Sequence, residues 1–147
     1  MASGMEVGSE VVNLFQEMKS KRNTYRCLIF KISDDQKTIE VDRIVKYGEK
    51  DNQETDYNDI IKSLPPAEGR YIVWDLKVPN AKSGEDMDKL AFMSWCPDSG
   101  PVRVKMVFAS SKDGLKKKLT GIGTCVDCSD LEDTQYKAVC DKIAHGH

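Results

Sequence analysis

The chain has 147 residues, 39% hydrophobic and 31% charged, with a net charge of −2 and a pI near 5.7. That length suits one domain with its own core, and the composition excludes a disordered chain. An acidic chain with no basic, aromatic-interleaved surface is not expected to bind nucleic acid. No stretch approaches the roughly 20 apolar residues of a membrane span. Met1–Glu6 lacks the apolar core of a signal peptide, and Ala2 after Met1 excludes myristoylation. The protein is therefore expected in the cytoplasm, where an odd set of five cysteines (Cys27, Cys96, Cys125, Cys128, Cys140) reads as buried or free thiols.

Residues 1–8, short and mostly polar, read as a flexible tail. Ser9 is placed to cap a helix whose apolar face is Val11, Leu14, Phe15 and Met18. Tyr25 to Ile32 is apolar enough to be a central strand. Ile39 to Val45 alternates as its hairpin partner, with the turn at Asp34–Lys37. Tyr47 to Thr55 reads as a loop. Tyr57, Ile60, Ile61 and Leu64 predict a short helix stopped by Pro65 and Pro66. Arg70 to Val78 and Leu90 to Cys96 predict two further strands, separated by a polar loop from Pro79 to Asp88. A short strand after Gly123 and a helix carrying Tyr136, Val139, Cys140 and Ile143 follow. Interspersed strands and helices predict a mixed sheet flanked by helices.

Between them lies Pro101 to Leu119. Its first residues alternate like a strand, but Val104, Phe108, Ser111, Leu115 and Leu119 recur at spacings of three and four, and Pro101 suits a first turn. On a wheel of about 100° per residue these five span roughly 80°. Lys105, Lys112 and Lys116 fall beside that face, and Ala109, Asp113, Met106 and Lys117 continue around the helix. The resulting cationic stripe fits an acidic protein partner or anionic lipid headgroups, or is a solvated helix face.

Catalytic constellations are missing. The chain has no GxSxG, HExxH or Gly-rich phosphate loop, and both histidines lie in its last three residues, so no enzyme is expected. Cys125 and Cys128 form one CxxC, with Cys140, His145 and His147 downstream. The spacing matches no standard zinc finger, and no metal or other cofactor is expected.

Met106 to Gly121 (MVFASSKDGLKKKLTG) closely resembles the long-helix signature of the actin-depolymerising factor/cofilin family. Trp95 to Met106 (WCPDSGPVRVKM), Arg70 to Asp75 (RYIVWD) and the opening Met1–Gly4 with the helix Glu10–Met18 resemble it too. The resemblance runs along the whole chain in order. It implies an α/β (α+β) fold, one actin-depolymerising-factor homology domain over residues 1–147, with a central mixed, largely antiparallel sheet and helices on both faces. It further implies a monomeric protein that binds actin monomers and filaments, prefers their ADP form, and severs and depolymerises filaments. Phosphoinositides are expected as competing ligands, with peripheral membrane contact at most.

By position, the resemblance assigns a monomer-contact surface to Ser3, Arg103, Lys105, Met106, Lys112, Asp113, Lys116 and Lys117, and inhibitory phosphorylation to Ser3. It assigns a filament-contact surface to Lys89, Asp141, Lys142 and His145. Two departures stand out. Met87 occupies a strand position where members often carry a second basic residue, which keeps open a coactosin-like or glia-maturation-factor-like protein without strong severing. Lys19-Ser-Lys-Arg22 is only a remnant of the basic insertion that serves some members as a nuclear signal.

Overall fold

Tyr25–Ile32 and Arg70–Pro79 carry apolar residues on both faces, so neither face can be left in water. In the computed structural model, which describes residues 5–20, 24–47, 52–80 and 82–145 (residue 145 as backbone only), these two strands pair at the centre of a six-stranded sheet. In chain order the elements are β1 (Glu6–Val7), α1 (Ser9–Met18), β2 (Tyr25–Ile32), β3 (Thr38–Lys46), α2 (Gln53–Ser63), β4 (Arg70–Pro79), β5 (Asp86–Trp95), α3 (Val102–Lys118), β6 (Thr124–Cys128) and α4 (Tyr136–His145). A 3-10 turn at Glu132–Thr134 leads into α4.

The strand order is β1-β3-β2-β4-β5-β6. The four inner strands are antiparallel, and β1 and β6 join the two borders in parallel. This is the mixed sheet that the sequence predicts, largely antiparallel as the resemblance implies. Side-chain alternation sorts the core into two layers. Ile72, Trp74 and Leu76 of β4 pack with Tyr57 and Ile61 of α2 and Val139 and Ile143 of α4. Tyr71 and Val73 pack on the other side with Phe15 of α1 and Phe108 and Leu115 of α3.

Several boundaries differ from those read off the sequence. Residues 5–8 are not a flexible tail. Met5 is buried, Glu6 and Val7 pair with Thr38 and Ile39, and the Gly8 amide donates to the Ile39 carbonyl at 3.0 Å. Gly8, not Ser9, is the N-cap of α1; a Cβ there would lie 3.1 Å from the Ile39 oxygen. Helix α2 begins at Gln53, inside the segment read as a loop, because the Asn52 side chain accepts from the Thr55 amide at 3.0 Å. Strand β5 begins at Asp86, because Asp86–Lys89 pair with Leu76–Pro79 and leave only Asn80–Glu85 as the turn.

Helix α3 is fixed to the sheet through one aromatic stack. The Phe108 ring lies on that of Tyr71 with centroids 4.1 Å apart and planes 5° from parallel. The Tyr71 hydroxyl donates to the Phe108 carbonyl at 2.5 Å. Phe108 also covers Gly69, where an added Cβ would fall 2.6 Å from the ring. Gly69→Ala must therefore push Phe108 off Tyr71. The expected cost is about 1–3 kcal/mol in a urea titration, the range of core overpacking.

Candidate functional site

The apolar stripe of α3 turns Phe108, Ser111, Leu115 and Leu119 into the core, as the wheel predicts. Val104 departs from it: it is 37% exposed, because it lies a turn beyond Phe108, the first residue of the stripe to reach the sheet. Arg103, Met106, Asp113 and Lys117 are exposed, while Lys105, Lys112 and Lys116 are half-buried along the border of the helix. Seven of the eight residues assigned to the first surface thus share one helix. Ser3 lies outside the described residues.

The charge along α3 is uneven. Its first turns expose Met106 (67%), as the wheel predicts, and Val102 (69%), which the sequence reading did not single out. Its last turn carries Lys116, Lys117 and Lys118, where the helix dipole favours cations. The surface therefore runs from a mixed end, where Val102 and Met106 stand beside Arg103, to a wholly cationic end. Lys117 and Lys118 also wall a groove of about 500 Å³ between α3 and β1, whose other wall includes Met5, Glu6 and Val7.

Two of the lysines have intramolecular partners. Lys105 Nζ donates to the Asp98 carbonyl at 3.2 Å. Lys112 Nζ lies 3.0 Å from Asp127 Oδ1 on β6, and the same oxygen accepts from the Ser94 hydroxyl at 2.7 Å. Burial pushes the Asp127 carboxyl up, but the hydrogen bonds from Ser94 and Lys112 outweigh it and hold the group below its ordinary value of 3.8. Lys112 is thus steered toward β6 rather than standing free on the stripe. Sequence reasoning missed Asp127 because no helical or strand period relates it to Lys112.

The second surface lies on the opposite layer. Lys89, half-buried on β5, shares a strand face with Ala91, Met93 and Trp95, which belong to the core under α2 and α4. Asp141 and Lys142 are exposed on α4. The side chain of His145 lies outside the described residues. Met87 packs against the same core, opposite Val78, and its sulfur accepts from Asn80 Nδ2 at 3.1 Å. An apolar residue suits that half-buried place.

The CxxC does not converge. Three residues apart on β6, Cys125 is exposed and Cys128 is buried. Burial pushes the Cys128 thiol up to about 12, which disfavours the thiolate needed for metal binding or redox exchange. No group of three or more potential ligands is placed to hold a metal among the described residues. Nor is any helix among them long and apolar enough to cross a membrane.

Whole-chain comparison fits this geometry. The profile of the cofilin/tropomyosin-type actin-binding protein family matches residues 4–144. The chain belongs to this family. Cofilin of Mycosarcoma maydis is 36% identical over 145 residues, covering 98% of this chain and 97% of that protein. Actin-depolymerizing factor 6 of Oryza sativa subsp. japonica is 40% identical over 138 residues, 94% of each chain. The crystal structure of Plasmodium berghei actin depolymerization factor 2 superposes with a TM-score of 0.85 at 27% identity, over 98% of this chain and 99% of that one. The family is actin-binding and non-enzymatic.

The Asp127 carboxylate gives this site a pH signature. A group held below its ordinary value stabilises the fold above 3.8 and loses that contribution as pH falls through its folded-state value. Asp127→Asn should cost no more than about 1 kcal/mol at pH 7, since the carboxylate side of the pair is 64% exposed. The gap between variant and wild type should close below pH 3.8 in thermal melts run across pH.

Proposed function

We propose that this protein binds monomeric and filamentous actin, prefers the ADP-bound form, and severs and depolymerises filaments. The observation that carries the reading is α3, a helix stacked on the sheet that presents exposed Val102 and Met106 at one end and a lysine cluster at the other. Apolar anchors supply affinity and lysines supply complementarity to an acidic partner. The second surface, on the opposite layer, would let one molecule touch two neighbouring subunits.

No residue performs chemistry in this mechanism. A ligand shifts a conformational equilibrium only by its difference in affinity between the states. A protein that binds an altered filament twist more tightly stabilises that twist. Strain then concentrates where decorated and bare segments meet, and the filament breaks there.

Phosphorylation of Ser3 is the proposed switch. Ser3 precedes Met5 by two residues, and Met5 lines the groove walled by Lys117 and Lys118. Phosphate would bring about −1.5 to −2 charges to that neighbourhood and weaken docking on an acidic partner. The same lysines would accept phosphoinositide headgroups, in competition with actin. The protein is proposed to act in the cytoplasm as a monomer.

The deciding experiment is cosedimentation with actin filaments, with pellet and supernatant both quantified. Protein in the pellet and extra actin in the supernatant are expected; binding to neither filaments nor ADP-actin monomers would overturn the reading. Lys112→Glu combined with Lys116→Glu should weaken actin binding at least about tenfold. The pair of reversals also places a second carboxylate beside Asp127, so the fold is checked by circular dichroism. Unchanged affinity would remove α3 from the interface.

Met87 favours a second reading, in which the protein binds actin or an actin-related complex without strong severing. In that case it pellets with filaments but releases little soluble actin. Met87→Arg should then increase the release, seen as more and shorter filaments by fluorescence microscopy.

A further inference from the structure

The end of β4 poses a hydrogen-bonding problem. Pairing between β2 and β4 stops at Cys27 and Trp74, while β4 and β5 continue together to Pro79 and Asp86. Beyond Trp74, no strand among the described residues pairs with the side of β4 facing away from β5. Backbone groups left this way need other partners.

At Lys77 the partner is one side chain. The Lys77 amide donates to Gln53 Oε1 at 2.7 Å, and Gln53 Nε2 donates back to the Lys77 carbonyl at 2.9 Å. A carboxamide on α2 thereby does what a paired strand residue would do. The remaining capacity of the amide is also used. Gln53 Nε2 donates to the Tyr136 hydroxyl at 2.7 Å, and buried Arg26 donates from Nη1 to Gln53 Oε1 at 3.3 Å. Two donated and two accepted bonds fix the amide in one orientation.

We infer that Gln53 is a positioning residue for filament binding, the staple that holds the β4–β5 hairpin and α4 as one rigid surface. This rests on the filament-contact surface proposed above. Lys77 is flanked in β4 by Leu76 and Val78, the register partners of Lys89 and Met87. Tyr136 is the first residue of α4, which carries Asp141 and Lys142. Gln53 is thus bonded to both halves of that surface while belonging to neither. The α3 surface lies on the other layer and does not depend on it. A shorter Asn would not reach all four partners, and a Glu could not donate to the Lys77 carbonyl.

The test separates the two surfaces. Filament affinity of wild type, Gln53→Ala and Gln53→Glu is measured by cosedimentation, and ADP-actin monomer affinity by fluorescence titration. Both variants should bind filaments about fivefold more weakly, as loss of hydrogen bonds at a positioning contact implies, with monomer affinity unchanged. Exchange of the Lys77 amide, followed by NMR, should accelerate. Filament affinity that stays at the wild-type value while the Lys77 amide loses protection would overturn the inference. So would an equal fall in monomer and filament affinity, which marks a general loss of stability. If neither Gln53 variant folds, Tyr136→Phe decides: it frees α4 alone and should weaken filament binding selectively, and unchanged binding would overturn the inference. Wild-type protein that fails to pellet with filaments would instead overturn the underlying functional reading.

Discussion

The stack of Phe108 on Tyr71 determines which part of α3 the solvent sees. A helix 17 residues long could rotate or slide along a smooth apolar sheet with little penalty. Two flat rings in contact, a hydrogen bond from one to the backbone of the other, and a glycine that admits the ring beneath allow only one seating. Once Phe108 is seated, Ser111, Leu115 and Leu119 must follow it inward. Met106, Asp113 and Lys117 must then face out. The candidate surface is the complement of a packing decision made in the core.

The same division runs through the whole sheet. Because β2 and β4 are apolar on both sides, helices are required on both, and the two helix layers present separate outer surfaces. One layer exposes the graded apolar and cationic face of α3. The other exposes α4 and the half-buried residues of β5. Their separation by the sheet gives the pair a fixed spacing. Pre-set spacing spares the ordering cost that a flexible linkage would carry on binding.

Much of this was legible in the sequence. An apolar run revealed β2 and alternation revealed β3, and the spacing of Phe108, Ser111, Leu115 and Leu119 gave α3 against the strand-like look of its start. The misreadings have physical causes. β1 is two residues long and paired to a strand some thirty residues away, so no local pattern announces it. The first half of β5 carries Asp86, Asp88 and Lys89, whose charge imitates a loop although their backbone continues the hairpin. Asn52 looked like one more polar loop residue until its side chain was found on the Thr55 amide. Within the candidate site, charge sign and helical face were readable. The Lys112–Asp127 pair and the four bonds of Gln53 were not, since each joins segments that only the register of the sheet brings together.

Both borders of the sheet are short parallel strands, two residues in β1 and five in β6. At high local density, copies of one protein meet edge to edge. There, a long open strand would offer each neighbour a template for runaway pairing. Yet β1 covers only Thr38 and Ile39 of β3, and the rest of that border, from Glu40 to Lys46, carries Glu40, Asp42, Arg43 and Lys46, charges that discourage such pairing between copies.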